Sequence, residues 1–482
     1  MTATVYPASS VEPRPWRRAF AWFAFLGAFF IVTYGLANWS AAQRVDVPSV
    51  TFAWETGIPF WAWTILPYWS IDLLYGLSLF VCTTRRELDT HAKRLLTAQL
   101  VAVACFVLVP LRFSFDRPAV DGLWGLMFAA LTGFDRPFNQ LPSLHIALAA
   151  ILWALYARKL SGVARLAMDA WFLLICGSAL TTYQHHFADI PTGLLLGVLC
   201  VWAWPFAEDG DGRSVAAQWR WTRDPVRWRL AAIYAGGALL LGAIALYAGG
   251  WALWLLWGSV SLLLVALAYA AIGADAFQKA ADGRLSVAAR WLFAPYLAGA
   301  WLNSRAWTWR DAQPVPVTAG VFLGRVPTAR ELASSPFGGV VDLTAEFEVR
   351  AGTRALAVVP LLDLTRPTAD ALAQAAQAIE RLCARGPVLV CCALGCSRSA
   401  CAVAAWLLAT GRARDVEAAI GAVRVARQTV VLDAGHIAAL RELVTAHVSQ
   451  AQAGAAVLHT DHIDAPSQLE PDAEKAVFSM RP

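Results

Sequence analysis

Eight apolar runs, near 19–39, 58–82, 95–111, 143–157, 166–182, 190–206, 229–248 and 251–273, fill most of the first 273 residues. About 20 apolar residues cross a hydrocarbon core, and a chain with this many such runs is held to a polytopic bundle of α-helices, here about eight spans. Composition agrees, with 58% hydrophobic and only 15% charged residues, too apolar for an ordinary soluble protein. Trp 23 and Phe 23 suit aromatic belts at two membrane faces. The net charge of +5 is modest and the arginines are spread among the apolar runs, so no nucleic-acid partner is expected. The first run, after "PRPWRR", is too long for a signal-peptide core and reads as a spanning helix. The stretch 286–308 carries Arg290, Pro295 and Arg305 among apolar residues. It is expected to be an interfacial, Trp-rich helix, with a ninth span as the alternative.

Basic residues in short loops orient such a bundle. With the N-terminus in the cytosol and eight spans, the inner segments hold fifteen Lys and Arg, among them Arg85, Arg86, Arg158 and Lys159. The outer loops hold four: Arg44, Arg112, Arg117 and Arg136. Both termini are then cytosolic, and the expected location is an integral protein of a bacterial inner membrane.

From about 311 the pattern changes. "VFLGRV", "GVVDLTA", "ALAVVPLL" and "PVLVCC" are short β-rich runs, and helical periodicities alternate with them. This is the mark of a cytosolic α/β domain with a central sheet flanked by helices. The expected organisation is an N-terminal span and loop (1–57), a membrane domain (58–206), two further spans (207–273), an interfacial linker (274–310), the α/β domain (311–450) and a disordered tail (451–482). The nine cysteines have neither zinc-site spacing nor a disulfide pattern. No metal or other cofactor is expected.

Two clusters carry chemistry. The first is "VCCALGCSRS", where Cys392 and Arg398 frame five residues between a predicted buried strand and a helix. Backbone N–H groups at a helix start converge on an anion, and the same field favours a thiolate. Cys392 is thus a candidate nucleophile, Gly395 belongs to the phosphate-binding loop, and Arg398 can grip two phosphate oxygens with its planar fork. Ser399 can hydrogen-bond the leaving sulfur. Asp363, 29 residues earlier and just after a predicted strand, is the preferred general acid, with Asp342 and Glu346 as rivals expected to hold the strand end instead. These residues resemble a dual-specificity member of the cysteine-dependent protein tyrosine phosphatase superfamily over about 315–445. The resemblance implies the same roles for Cys392, Arg398 and Asp363. One position departs: Cys391 stands where that family usually has His.

The second cluster lies in the membrane part. "PSLH" puts Ser143 and His145 at the outer start of one run, and "HHFAD" puts His185 and Asp189 at the outer end of the next. Arg112 and Arg117 lie in an outer loop nearby. Ionisable groups gathered at one membrane face point to function. His185 and Asp189 are four apart, so a helical turn stacks them and lets the carboxylate set the tautomer of a nucleophilic imidazole. His145 can then protonate the leaving alkoxide, Ser143 can hold a phosphate oxygen, and Arg117 with Arg112 can offset its charge. Asp72 sits mid-span, an unusual depth for an acid. Over about 60–206 these motifs are similar to the type 2 phosphatidic acid phosphatase superfamily, a six-helix membrane fold. "PSLH" in particular resembles the branch that includes inositol phosphorylceramide synthases. Two positions differ: Pro110 stands in place of the first-motif Lys, and Ala179 in place of the third-motif Arg.

The expected protein is a bifunctional membrane phosphatase. A phosphohistidine site would hydrolyse a lipid phosphate on the outer face, and a phosphocysteine site would hydrolyse phosphomonoesters, lipid or phosphoprotein, inside. Two alternatives stay open. The histidine site transfers a head group to an alcohol while the cysteine domain dephosphorylates a related lipid, or one domain is a degenerate phosphate-binding regulator.

Overall fold

The computed structural model describes residues 12–207, 212–318 and 320–446. The expected disordered tail at 451–482 lies outside them. The helical part runs through α1 (Trp16–Ala42), α2 (Ile65–Val81), α3 (Arg85–Leu108), α4 (Gly122–Phe134), α5 (Leu144–Lys159), α6 (Gly162–Thr181), α7 (Asp189–Ala203), the short α8 (Val215–Gln218), α9 (Pro225–Ala248) and α10 (Leu255–Leu267). Each of the eight expected runs coincides with a helix. Among the described residues six are long and apolar enough to cross a membrane, which fits a membrane protein. The expected eight therefore reduce to six by this measure. α5 and α7, at 16 and 15 residues, rise only about 24 and 22 Å. α4, which the apolar-run reading does not include, is shorter still.

The short helices are held close by glycine. A Cβ at Gly193 would lie 2.4 Å from the Ser143 carbonyl oxygen, and one at Gly197 2.5 Å from that of Ala147. This spacing of two small residues four apart lets α7 lie against α5 backbone to backbone. It fixes the start of α5 against the start of α7.

The 286–308 stretch divides into α11 (Val287–Leu292) and α12 (Ala294–Trp307), with Pro295 in the first turn of α12. Proline is tolerated there because its missing N–H would have no helical partner. Neither helix has spanning length.

The C-terminal domain is built on β1 (Val315–Thr318), β2 (Val321–Arg325), β3 (Gly339–Thr344), β4 (Ala355–Leu361) and β5 (Val388–Cys392). Their order is β1-β2-β5-β3-β4, with β1 antiparallel to β2 and the other pairs parallel. β5 is thus central and buried along its length, as a continuous apolar run in a parallel sheet must be. Helices α13 (Ala329–Ala333), α14 (Ala369–Cys383), α15 (Arg398–Ala409) and α16 (Val416–Ala426) complete the domain, with a last helix followed from 434 to 446.

Strand alternation decides what each face of β5 meets. Val388, Val390 and Cys392 pack with α14 and α15. Leu389, Cys391 and Ala393 pack with Ala300 and Trp301 of α12. The segment read as an interfacial linker therefore closes the second face of the C-terminal sheet.

Candidate functional site

Cys392 ends β5, and the chain turns through five residues into α15. The turn depends on Gly395, at φ +74°, where a Cβ would lie 2.5 Å from the carbonyl carbon of Gly324. Only glycine fits so close an approach at this φ. The Gly395 N–H donates to Cys392 Sγ at 3.3 Å, and Ser399 Oγ donates to the same sulfur at 3.2 Å. The sulfur thus sits at the mouth of the helix start with two donors on it.

Arg398 is buried, and Glu346 accepts from its Nη1 and Nη2 at 2.9 and 2.7 Å. The Leu361 carbonyl accepts from Nη1 at 2.8 Å, and Asp363 Oδ1 lies 3.2 Å from Nη2. Nε is buried with no hydrogen-bond acceptor among the described residues, so one edge of the fork remains to grip a phosphate oxygen. Burial by itself pushes the Glu346 carboxyl up; the adjacent guanidinium outweighs it and holds the carboxyl below the usual glutamate range. Glu346 is thereby a clamp on Arg398 rather than an acid.

Asp363 remains partly exposed next to Arg398, in a position open to a leaving group. The Tyr269 hydroxyl, from the π turn at Ala268–Ile272 after α10, donates to the Asp363 carbonyl at 3.1 Å. The next residue, Leu364, has φ +55° and an exposed side chain, a backbone state that costs a non-glycine residue energy.

Asp342 is buried and bound to Lys279, whose Nζ donates to Asp342 Oδ2 at 2.5 Å and to the Thr344 carbonyl at 2.6 Å. Cys391 pairs in register with Asp342. Burial, with the Asp342 charge added, pushes the Cys391 thiol well up. A neutral thiol there cannot act as the imidazole of the resembling family does. A second support lies behind the loop, where Ser397 Oγ and His436 Nε2 are 2.9 Å apart and His436 Nδ1 is 2.7 Å from Asp433. Sequence reasoning missed Lys279, His436 and the clamp role of Glu346. Charged residues beside apolar runs were the available signal, but their partners lie 39–63 residues away.

In the helical bundle, Asp189 Oδ2 is 3.1 Å from His185 Nδ1, and Ser143 Oγ is 3.1 Å from His185 Nε2. A carboxylate only accepts, so the His185 Nδ1–H is the donor to Asp189, and Nε2 is the nitrogen that faces Ser143 Oγ. Ser143 also caps α5, accepting from the Ile146 N–H at 3.3 Å. His145 stacks on Tyr68 at 4.1 Å, and its Nε2 is buried with no partner among the described residues. His145 and His185 line one cavity of about 100 Å³ together with Asp72 and Asp135. Asp135, which sequence reasoning passed over, accepts from the Tyr34 hydroxyl at 2.8 Å.

Arg117 donates to the carbonyls of Thr182 and Tyr183, both at 3.2 Å, and lies over the Phe128 ring. It braces the turn before His185 and does not line the cavity. Arg112 is exposed and does not line it either. His186 is consumed by structure: Glu55 binds its Nδ1 at 3.1 Å and the Ser114 N–H donates to its Nε2 at 3.1 Å. Among the described residues no group of three or more His, Cys, Asp or Glu is placed to hold a metal ion.

The two clusters lie at opposite ends of the bundle. α7 begins at Asp189 and ends about 22 Å on, where the Trp202 indole donates to the Ala276 carbonyl and Gln278 donates to the Trp202 carbonyl. From there Lys279 enters the cysteine domain.

The model of the dual specificity phosphatase catalytic domain matches residues 321–446. No curated protein matches the sequence. Among solved structures, human DUSP28 is 25% identical, with 28% of this chain and 99% of that chain covered and a TM-score of 0.26. Tk-PTP in its active form is also 25% identical, with 28% and 98% covered and a TM-score of 0.26. PTPMT1 in complex with PI(5)P is 22% identical, with 29% and 98% covered and a TM-score of 0.26. Residues 321–446 are a phosphatase domain of the dual-specificity type, and the chain that carries them is a phosphoric monoester hydrolase.

Proposed function

We propose that the chain is a bifunctional membrane phosphatase with two covalent sites, a cysteine site toward the cytosol and a histidine site toward the outer face. At the cysteine site Cys392 Sγ attacks phosphorus, the ester P–O bond breaks, and Asp363 gives its proton to the leaving oxygen. Arg398 and the loop N–H groups hold the phosphate oxygens. Water then cleaves the P–S bond while Ser399 supports the departing sulfur.

At the histidine site His185 Nε2 attacks the phosphorus of a lipid phosphate and His145 protonates the leaving alkoxide. Water then cleaves the P–N bond. Arg112 and Arg117, expected as ligands of the phosphate, take no part in this reading: Arg117 is bonded to the Thr182 and Tyr183 carbonyls, and Arg112 is exposed. The observation that carries it is that His145 and His185 line one cavity while Asp189 and Ser143 hold the two ring nitrogens of His185. The excess of basic residues at the other end of the bundle supports the sidedness.

The test is radioactive lipid phosphate given to purified protein in detergent. Two separate labels are expected: one acid-labile and lost in His185→Ala, the other thiol-linked and lost in Cys392→Ser. Free phosphate as the product supports hydrolysis, whereas label in a new lipid replaces hydrolysis with head-group transfer. Turnover unchanged in both variants would sink the proposal and leave a phosphate-binding regulator.

A further inference from the structure

The Cys392 loop does not open onto bulk water alone. A cavity of about 310 Å³ lies between it and the helices that follow the first seven. One wall is Asp363, Glu346 and Leu394 of the phosphatase domain; the other is Tyr234 of α9, Leu262 of α10, and Tyr296, Gly299 and Asn303 of α12. The walls are bonded to each other: Ser304 Oγ donates to the Ala393 carbonyl at 2.7 Å, and Tyr269 to the Asp363 carbonyl.

Tyr234 and Leu262 of the helix wall belong to apolar, spanning-length segments, and α12 packs beside them. α9 and the helical stretch Gly250–Ile272 both meet that standard. Arg227 and Arg229 mark where α9 leaves the aqueous side, and Tyr234 lies about 8 Å farther along it. Leu239 and Leu240 beyond it are exposed, as are Leu302, Trp307 and Trp309 along and after α12. Exposed apolar and indole groups beside a mouth at this depth match an acyl-chain and headgroup boundary. No lysine or arginine lines the cavity, and Arg398 stands behind its Glu346 and Asp363 wall, a cation supply that matches one phosphate rather than several.

We infer that the Cys392 site draws its substrate sideways from the bilayer, a lipid bearing a single terminal phosphomonoester, with its chains against α9 and α12. This rests on the reading of Cys392 as nucleophile.

The full chain in nanodiscs, carrying His185→Ala to silence the other site, tests this. Dioleoyl phosphatidic acid in the disc, a soluble phosphotyrosine peptide and p-nitrophenyl phosphate are compared as probes. The lipid is expected to exceed the peptide in kcat/KM by about tenfold or more. Gly299→Trp places an indole in the mouth, where an added Cβ meets nothing within 4 Å. It is expected to lower the ratio of lipid to p-nitrophenyl phosphate turnover by about tenfold. A peptide preferred over the lipid, or a ratio that Gly299→Trp leaves unmoved in a normally folded variant, overturns the inference while leaving Cys392 as nucleophile. Hydrolysis of p-nitrophenyl phosphate that survives Cys392→Ser removes the underlying reading as well.

Discussion

Glu346 holds Arg398 through two hydrogen bonds of 2.7 and 2.9 Å, with both side chains buried. The Arg398 guanidinium is therefore held in one orientation by the fold itself. Removing the carboxylate leaves the buried guanidinium with the Leu361 carbonyl and the partly exposed Asp363 as its remaining partners. Glu346→Ala is expected to destabilise the folded protein by about 3–5 kcal/mol. Thermal unfolding in detergent, followed by tryptophan fluorescence, checks it.

The same pair makes stability depend on pH. Arg398 outweighs burial and depresses the Glu346 carboxyl in the folded state. A carboxyl of this kind contributes its full stability above the ordinary glutamate value of about 4.3 and loses it as pH falls through the depressed one. The melting temperature of the wild type is expected to fall more steeply than that of Glu346→Gln over that acid window. Parallel curves for the two proteins would contradict the clamp.

Ser399 donates to Cys392 Sγ at 3.2 Å, a contact that favours sulfur as a leaving group. Ser399→Ala is expected to slow breakdown of the phosphocysteine about 100- to 1000-fold, in line with loss of one preorganised donor to a developing charge. Stopped-flow assay with p-nitrophenyl phosphate would then show a burst of one equivalent before slow turnover. A slowed reaction with no burst would assign Ser399 to the first step instead.

Gly395 cannot carry a side chain at its φ of +74° with the Gly324 carbonyl carbon only 2.5 Å from the added Cβ. Gly395→Ala is expected to cost about 1–3 kcal/mol of local strain. Loss of p-nitrophenyl phosphate hydrolysis with retention of the histidine-site label would locate that strain in the loop.

Asp189 fixes the tautomer of His185. Asp189→Asn reverses the donor–acceptor preference at Nδ1, a change expected to reduce histidine-site turnover about 10³- to 10⁴-fold by analogy with other buried His–Asp pairs. Lipid phosphate hydrolysis in a Cys392→Ser background measures it, and p-nitrophenyl phosphate hydrolysis in the parent background reports on folding.

The cysteine loop was readable because its signals are local. A buried strand, a glycine-bearing turn and a helix start lie within a dozen residues, and each has a stereochemical reason to be there. Cys392, Gly395, Arg398 and Ser399 do meet around one sulfur. The helix count was less readable, because α5 and α7 are too short by length, and their seating rests on Gly193 and Gly197 against the α5 backbone. That four-residue glycine spacing was visible in "DIPTGLLLGVL" and points to close helix packing.

By itself the sequence determined which segments shun water, which turn must be glycine and which residues have reactive atoms at useful spacing. These follow from hydrophobicity, backbone sterics and short-range geometry, all of which act within a few residues. Only the tertiary structure decided that Glu346 clamps Arg398, that Lys279 pairs with Asp342, that Arg117 braces a turn, and that α12 covers the sheet and lines the cavity beside the Cys392 loop. Those pairings join residues far apart in the chain. They arise because buried charges must find partners, and packing of the whole molecule selects which partner is near.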